Sequence, residues 1–208
     1  MIPAALALLL FAAPPAPAKA LPGLYVTSQM EMAGALELQR NGHFRYQFDY
    51  GAVSETGEGD WTSDGSTVRL TSNPMPREPD FALVSDEAAP AGELYVAVED
   101  SAFGTWTPLT VQLTVDGLNH PIFAYADDDG RVEAPEGHRV QAVKMLMPVY
   151  DTGGGPVQLA ADRGHRLLFR LEPNDMGKAI FRSEPLTVEH SAMIMHRYDA
   201  EIVFRRAK

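Results

Sequence analysis

The chain has 208 residues, 45% hydrophobic and 22% charged, the balance of an ordinary folded protein of one or two small domains. It has no cysteine, which excludes disulfides, thiolate metal sites, iron–sulfur clusters and a cysteine nucleophile. Its formal net charge of −11 argues against nucleic acid or an anionic membrane surface as a partner.

Residues 4–13 form a short apolar run, and a Pro/Ala stretch behind it ends in Ala18-Lys19-Ala20, the form of a cleaved export signal. The run is about half the length of a membrane span, and no later segment is long enough for one. The expectation is a signal peptide over 1–20 and a periplasmic or extracellular mature chain without a transmembrane span. Charge is uneven along that chain. Residues 21–100 carry 14 acids and 4 bases, whereas residues 163–208 carry 6 acids and 9 bases. Front and tail can attract each other within the monomer or between copies, but the preferred reading is two independently solvated surfaces, because exposed pairs are individually weak.

Beyond the signal, two-residue alternation dominates, the mark of half-buried strands. Gly23-Leu24-Tyr25-Val26 opens a strand. Leu36 and Leu38, then Phe44, Tyr46 and Phe48, alternate on either side of Asn41-Gly42. That dipeptide signals a hairpin, because a tight two-residue turn needs positive φ at both central positions. Trp61 before Asp64-Gly65, with Val68 and Leu70 after it, gives a second hairpin. Residues 21–72 are thus predicted as an N-terminal antiparallel β domain, a small barrel or half-barrel. Three prolines in 73–80 mark a linker, and 73–107 is assigned to linker and connecting strands. Strands are predicted at 81–84, 93–98, 109–115, 121–126 and 138–147, with a turn at Asp127–Gly130 and a loop over 151–156. Further strands are predicted at 165–172, 179–182, 186–190, 192–198 and 200–206, with turns at Asn174-Asp175 and Glu184-Pro185. Residues 108–208 are assigned to a C-terminal β-sandwich. No run outside the signal has a helical apolar period, so the chain is all-β.

Gly23-x-Tyr25, Leu36-x-Leu38, Asn41-Gly42-x-Phe44-x-Tyr46, Tyr50-Gly51-Ala52 and Gly59-x-Trp61 together resemble a pattern of small exported bacterial β-proteins, over about fifty residues. The second half is similar in architecture to the transthyretin-like or immunoglobulin-like sandwiches of bacterial envelope proteins. Neither resemblance implies an activity or a functional residue.

No nucleophile elbow, zinc-binding helix motif or phosphate-cradling loop occurs, so no catalytic residue and no cofactor is assigned. Asp127-Asp128-Asp129-Gly130 lacks the ligand spacing of a calcium loop and reads as turn chemistry. Six of the nine methionines fall in Met-x-Met pairs: Met30/Met32, Met145/Met147 and Met193/Met195. Residues i and i+2 share a strand face, so Met145, Met147, Met193 and Met195, with His196, are candidate ligands for a soft ion such as copper. The plain alternative is flexible core filling. Phe44, Tyr46, Phe48 and Trp61 are candidates to line an apolar ligand pocket, the alternative being that they form the core. Trp106, like Trp61, reads as a core or inter-domain anchor. The leading reading is a non-catalytic exported protein that binds an envelope protein or a small apolar ligand, with no nucleic acid partner. Copper binding is the first alternative, and an enzyme with an unrecognised site the second.

Overall fold

The structure is a computed structural model that describes residues 21–99, 109–147 and 149–208. These residues form strands and no helix, an all-β fold. In chain order the strands are β1 (Gly23–Gln29), β2 (Met32–Leu38), β3 (His43–Tyr50), β4 (Val53–Ser63), β5 (Thr67–Ser72), β6 (Asp80–Ala89), β7 (Leu94–Val98) and β8 (Thr110–Val115). They continue with β9 (Ile122–Tyr125), β10 (Val140–Leu146), β11 (Val157–Gln158), β12 (Gly164–Glu172), β13 (Arg182–Glu189), β14 (Ala192–Arg197) and β15 (Ala200–Arg206).

Both hairpins form at Asn41-Gly42 and Asp64-Gly65, as turns longer than two residues with positive φ at the glycine alone. Gly42 has φ +89°, and the Asn41 side chain accepts the His43 N–H at 3.1 Å. In the second turn Asp64 Oδ1 accepts the N–H groups of Ser66 and Thr67 at 2.9 and 2.8 Å, and Gly65 has φ +95°. Between these turns β3 alternates strictly, burying Phe44, Tyr46 and Phe48 on one face.

The five N-terminal strands do not close on themselves. The barrel order is β1-β15-β14-β13-β5-β4-β3-β2, so the last three strands of the chain complete it. This replaces the expected division into a 21–72 domain and a 108–208 sandwich. Strands β13–β15 carry the same alternation as sandwich strands, and alternation records which face is buried, not which neighbour is paired. The predicted turn at Glu184-Pro185 is also absent. Both residues lie inside β13, next to a bulge where Ser183 has φ +59°, and a bulge is one of the few places a strand tolerates proline. The predicted strand over 179–182 is an extended segment leading into β13.

An eight-stranded barrel is just wide enough for side chains to fill it. Here fifteen buried residues do so, among them Leu36, Phe44, Phe48, Leu70, Phe181, Met193 and Phe204. Opposite the aromatic residues of β3 stand small ones on β4: Tyr46 faces Gly57 and Phe44 faces Gly59. Phe181 occupies the space that Gly57 leaves. A Cβ on Gly57 would lie 2.8 Å from the Phe181 ring. The ring meets Phe44 and Tyr46 edge-on at 5.4 and 5.0 Å, a favoured aromatic geometry. Its backbone is held by Ser72, whose Oγ accepts the Phe181 N–H and whose N–H donates to the Phe181 carbonyl, both at 2.9 Å. The β1–β15 seam is short in backbone pairing, with Tyr25 and Val26 opposite Arg206 and Arg205. The Gln29 side chain extends it, accepting the Val203 N–H at 2.8 Å and donating to the Glu201 carbonyl at 3.1 Å.

Strands β6–β12 form a sandwich inserted between β5 and β13. A β11-β10-β8-β9 sheet packs on a β6-β12-β7 sheet around Val96, Val111, Leu113, Val143, Leu167 and Phe169. Its far end is fastened by Asp86, which accepts from Arg163 at 2.7 Å and lies 2.9 Å from the buried His165 ring. Asp80 at the start of β6 pairs with Glu172 at the end of β12, so the insert enters and leaves the barrel at one place. The two linkers run side by side: the Arg77 N–H donates to Asp175 Oδ2 at 2.9 Å, and the Asp175 N–H to the Arg77 carbonyl at 3.1 Å.

Because the insert's ends are adjacent, replacing 80–172 by a short Gly/Ser turn should leave a folded barrel. Deleting 182–208 should unfold residues 21–72, because both sheet edges are then open. Far-UV circular dichroism and thermal unfolding of the two deletions check this. A folded 182–208 deletion would mean that five strands suffice.

Candidate functional site

One inward position of β4 is not small or apolar. Glu55 faces Phe48 across the barrel wall and is only 5% exposed. A buried carboxylate needs partners, and several supply them. Tyr46 donates its hydroxyl to Glu55 Oε1 at 3.1 Å, and Arg197, at the end of β14, approaches Oε2 at 3.2 Å. The Arg197 guanidinium lies between the rings of Phe181 and Tyr198, 5.3 and 5.0 Å from their centroids. Its Nη1 donates to the Ile180 carbonyl at 3.4 Å, and its Nε is buried without a protein partner among the described residues.

Tyr198 and Asp199 form the two-residue turn between β14 and β15, with φ +57° and +53°. Such turns favour Asn, Asp and Gly, and a tyrosine in this region costs about 1–3 kcal/mol. The Tyr198 ring offsets that cost by stacking on Phe48 at 6.0 Å and 3°. Burial pushes the hydroxyls of Tyr46 and Tyr198 well above the ordinary tyrosine range; the Glu55 charge adds to this for Tyr46, and a hydrogen bond with Glu55 for Tyr198. Burial works against the Arg197 charge, but the Glu55 carboxylate and Tyr198 outweigh it, so Arg197 is held as a cation.

Above this network the insert meets the barrel end and encloses a cleft of about 370 Å³. Glu55, Arg182, Arg197 and Tyr198 come from the barrel, Glu78, Asp175, Lys178 and Ile180 from the two linkers, and Val149, Tyr150 and Asp151 from the loop after β10. Tyr150 ties the insert to the barrel by donating its hydroxyl to the Ser54 carbonyl at 3.1 Å. Arg182 and Glu78 pair at 3.6 Å. Contrary to the expectation of independently solvated surfaces, the basic tail and acidic front of the chain meet through Arg197–Glu55 and Arg182–Glu78. Another depression, of about 350 Å³, lies over β1–β4 and is also bordered by Lys178, and one of about 400 Å³ lies beside Leu21, Tyr25 and Met193. Of the three, the junction cleft alone has walls from both the barrel and the insert, the usual setting of a small-molecule site.

The residues singled out from the sequence lie elsewhere or beneath. Phe44, Tyr46 and Phe48 are in the filled barrel core, at most 3% exposed, and line no interior cavity. They reach the cleft only indirectly, through the Tyr46 hydroxyl and the Phe48–Tyr198 stack. Trp61 is half-buried at the core's edge and donates its Nε1–H to the Gln39 carbonyl at 2.9 Å. Met193 and Met195 share a face, but that face is the barrel core, whereas Met145 lies in the sandwich core and Met147 is buried outside both clusters. His196 is exposed, on the opposite face of β14 from the two methionines. The five residues are not brought together. Asp127 folds its own turn, accepting the N–H groups of Asp129 and Arg131 at 3.0 and 2.7 Å. Trp106 and the 1–20 segment lie outside the described residues.

Sequence reasoning missed Glu55, Arg197 and Tyr198. The available signal was Glu55-x-Gly57-x-Gly59, a two-residue alternation with a carboxylate in the buried phase. Comparison with protein-family models, curated proteins and solved structures finds no match to this chain.

The raised phenols predict a pH dependence. Both favour the neutral form in the folded state, so their contribution to stability holds below the ordinary tyrosine pKa of about 10 and declines as pH rises above it. Urea unfolding at pH 8 and pH 11 should show this loss, and Tyr46→Phe should lose less between the two pH values than the parent. An equal loss in both would mean that Tyr46 does not drive the alkaline decline.

Proposed function

We propose that this chain is a non-catalytic binding protein that holds a small polar molecule in the cleft between the barrel end and the insert. The observation that carries the reading is the cleft itself, built from both structural units over the Glu55–Arg197 ion pair. Glu55 is engaged by Tyr46 and Arg197, so it is read as a supporting group. The lining contains no histidine, serine or cysteine. It therefore offers no histidine, serine or cysteine nucleophile. An apolar ligand inside the barrel, the expectation raised by Phe44, Tyr46 and Phe48, has no space there because the same residues fill it. In this reading the mature chain is exported, on the strength of residues 1–20. No helix of the described residues is long and apolar enough to cross a membrane.

A thermal-shift panel of amino acids, peptides, dicarboxylates, sugars, nucleotides, polyamines and fatty acids tests the reading. At least one polar class should raise the melting temperature saturably, and Val149→Trp, which adds bulk to the cleft wall, should remove that shift. A shift that survives Val149→Trp, or a panel of which only fatty acids bind, overturns it.

A second reading, an envelope protein partner, has its own observation. Strand β9 is a sheet edge, and Phe123 and Tyr125 on its outer face are 67% and 65% exposed. Exposed aromatic residues on a free edge suit pairing with another chain. A photo-crosslinking residue at 123 should give one discrete adduct in cells, and one at Arg69, on the barrel, none. Equal labelling at both positions overturns this reading.

A further inference from the structure

We infer that the ligand of the junction cleft is a small zwitterion, an amino acid or dipeptide with an apolar body between its ammonium and carboxylate groups. This rests on the reading of the cleft as the binding site. Most charged groups in the lining are already engaged. Glu55 pairs with Arg197, Glu78 with Arg182, and Asp175 accepts the Arg77 backbone N–H. Two are not. Lys178, on the linker returning to the barrel, and Asp151, on the insert, make no side-chain hydrogen bond or ion pair with any described residue, including each other. A cation and an anion therefore border one half-open cleft from two different units of the fold.

The chemistry of the lining narrows the occupant. A purely anionic ligand would meet Lys178 but would also confront Asp151, Asp175 and Glu78. A purely cationic one would leave Lys178 facing like charge. A molecule with one charge of each sign complements both free groups at once. A neutral sugar is a poor match. The lining has no Asn, Gln, Ser or Thr, and the Tyr150 hydroxyl is committed to the Ser54 carbonyl. Between the charges the walls are apolar: Pro79, Val149, Ile180 and the faces of Tyr150 and Tyr198. These suit an aliphatic or aromatic side chain. The volume of about 370 Å³ is at the small end of ligand sites.

The test is calorimetric titration of the mature chain with leucine, tyrosine, Leu-Leu and Tyr-Leu, then with the N-acetylated and C-amidated forms of whichever binds best. At least one free zwitterion should bind, and blocking either end should weaken it at least tenfold. Asp151→Asn should remove the penalty for acetylation only, and Lys178→Gln the penalty for amidation only. Both side chains are exposed, so these variants should keep the parent melting temperature. Blocked and free forms binding equally overturns the inference. So does binding by sugars, dicarboxylates or polyamines alone with a shift lost in Val149→Trp, a result that leaves the cleft as the site. No cleft ligand of any class overturns both readings.

Discussion

The position of Phe181 is the constraint on which the rest of this structure depends. Its ring fills the barrel end above Gly57 and meets Phe44 and Tyr46 on the core side. On the other side it carries the Arg197 guanidinium. Its backbone is fixed by Ser72, the last residue of β5, 109 positions earlier in the chain. One residue thus joins the two ends of the barrel sequence, terminates the hydrophobic core and supports the charged floor of the cleft. The contact forms only when the chain has returned from the insert, so closing the barrel and building the cleft floor are one packing event.

The insert is placed so that it creates a site without interrupting the barrel core. Its two connections leave the barrel together and are hydrogen-bonded to each other at Arg77 and Asp175. Beyond them the Tyr150 hydroxyl reaches the Ser54 carbonyl. The space between is walled by charged and aromatic side chains and is not packed shut. The buried Glu55–Arg197 pair gains from partners on nearly every side, which is what makes a buried ion pair tolerable. The tyrosine at positive φ belongs to the same arrangement. Its backbone strain is borne because the ring is stacked on Phe48.

Much of the strand content was legible in the sequence, and for local reasons. Asn41-Gly42 and Asp64-Gly65 specify turns through backbone chemistry within a few residues, and both turns are where those dipeptides stand. Phe44, Tyr46 and Phe48 share a face because the side-chain period of a strand is two. The same rule put Met193 and Met195 on one face. It does not distinguish a metal site from a core, and here that face is the interior of the barrel. Glu184-Pro185 was misleading because proline marks turns and strand bulges alike.

The sequence by itself determined that the chain is all-β, which residues alternate into the core and where the tight hairpins fall, because these follow from turn chemistry and side-chain period over short spans. Only the tertiary structure decided that the last three strands belong to the barrel and that the sandwich is an insert, because strand pairing across the whole insert leaves no periodic trace. It also decided the candidate site. Glu55, Arg197, Asp151 and Lys178 are ordinary charged residues in sequence. They acquire meaning from which of them find partners once four separate segments are brought to one end of the barrel.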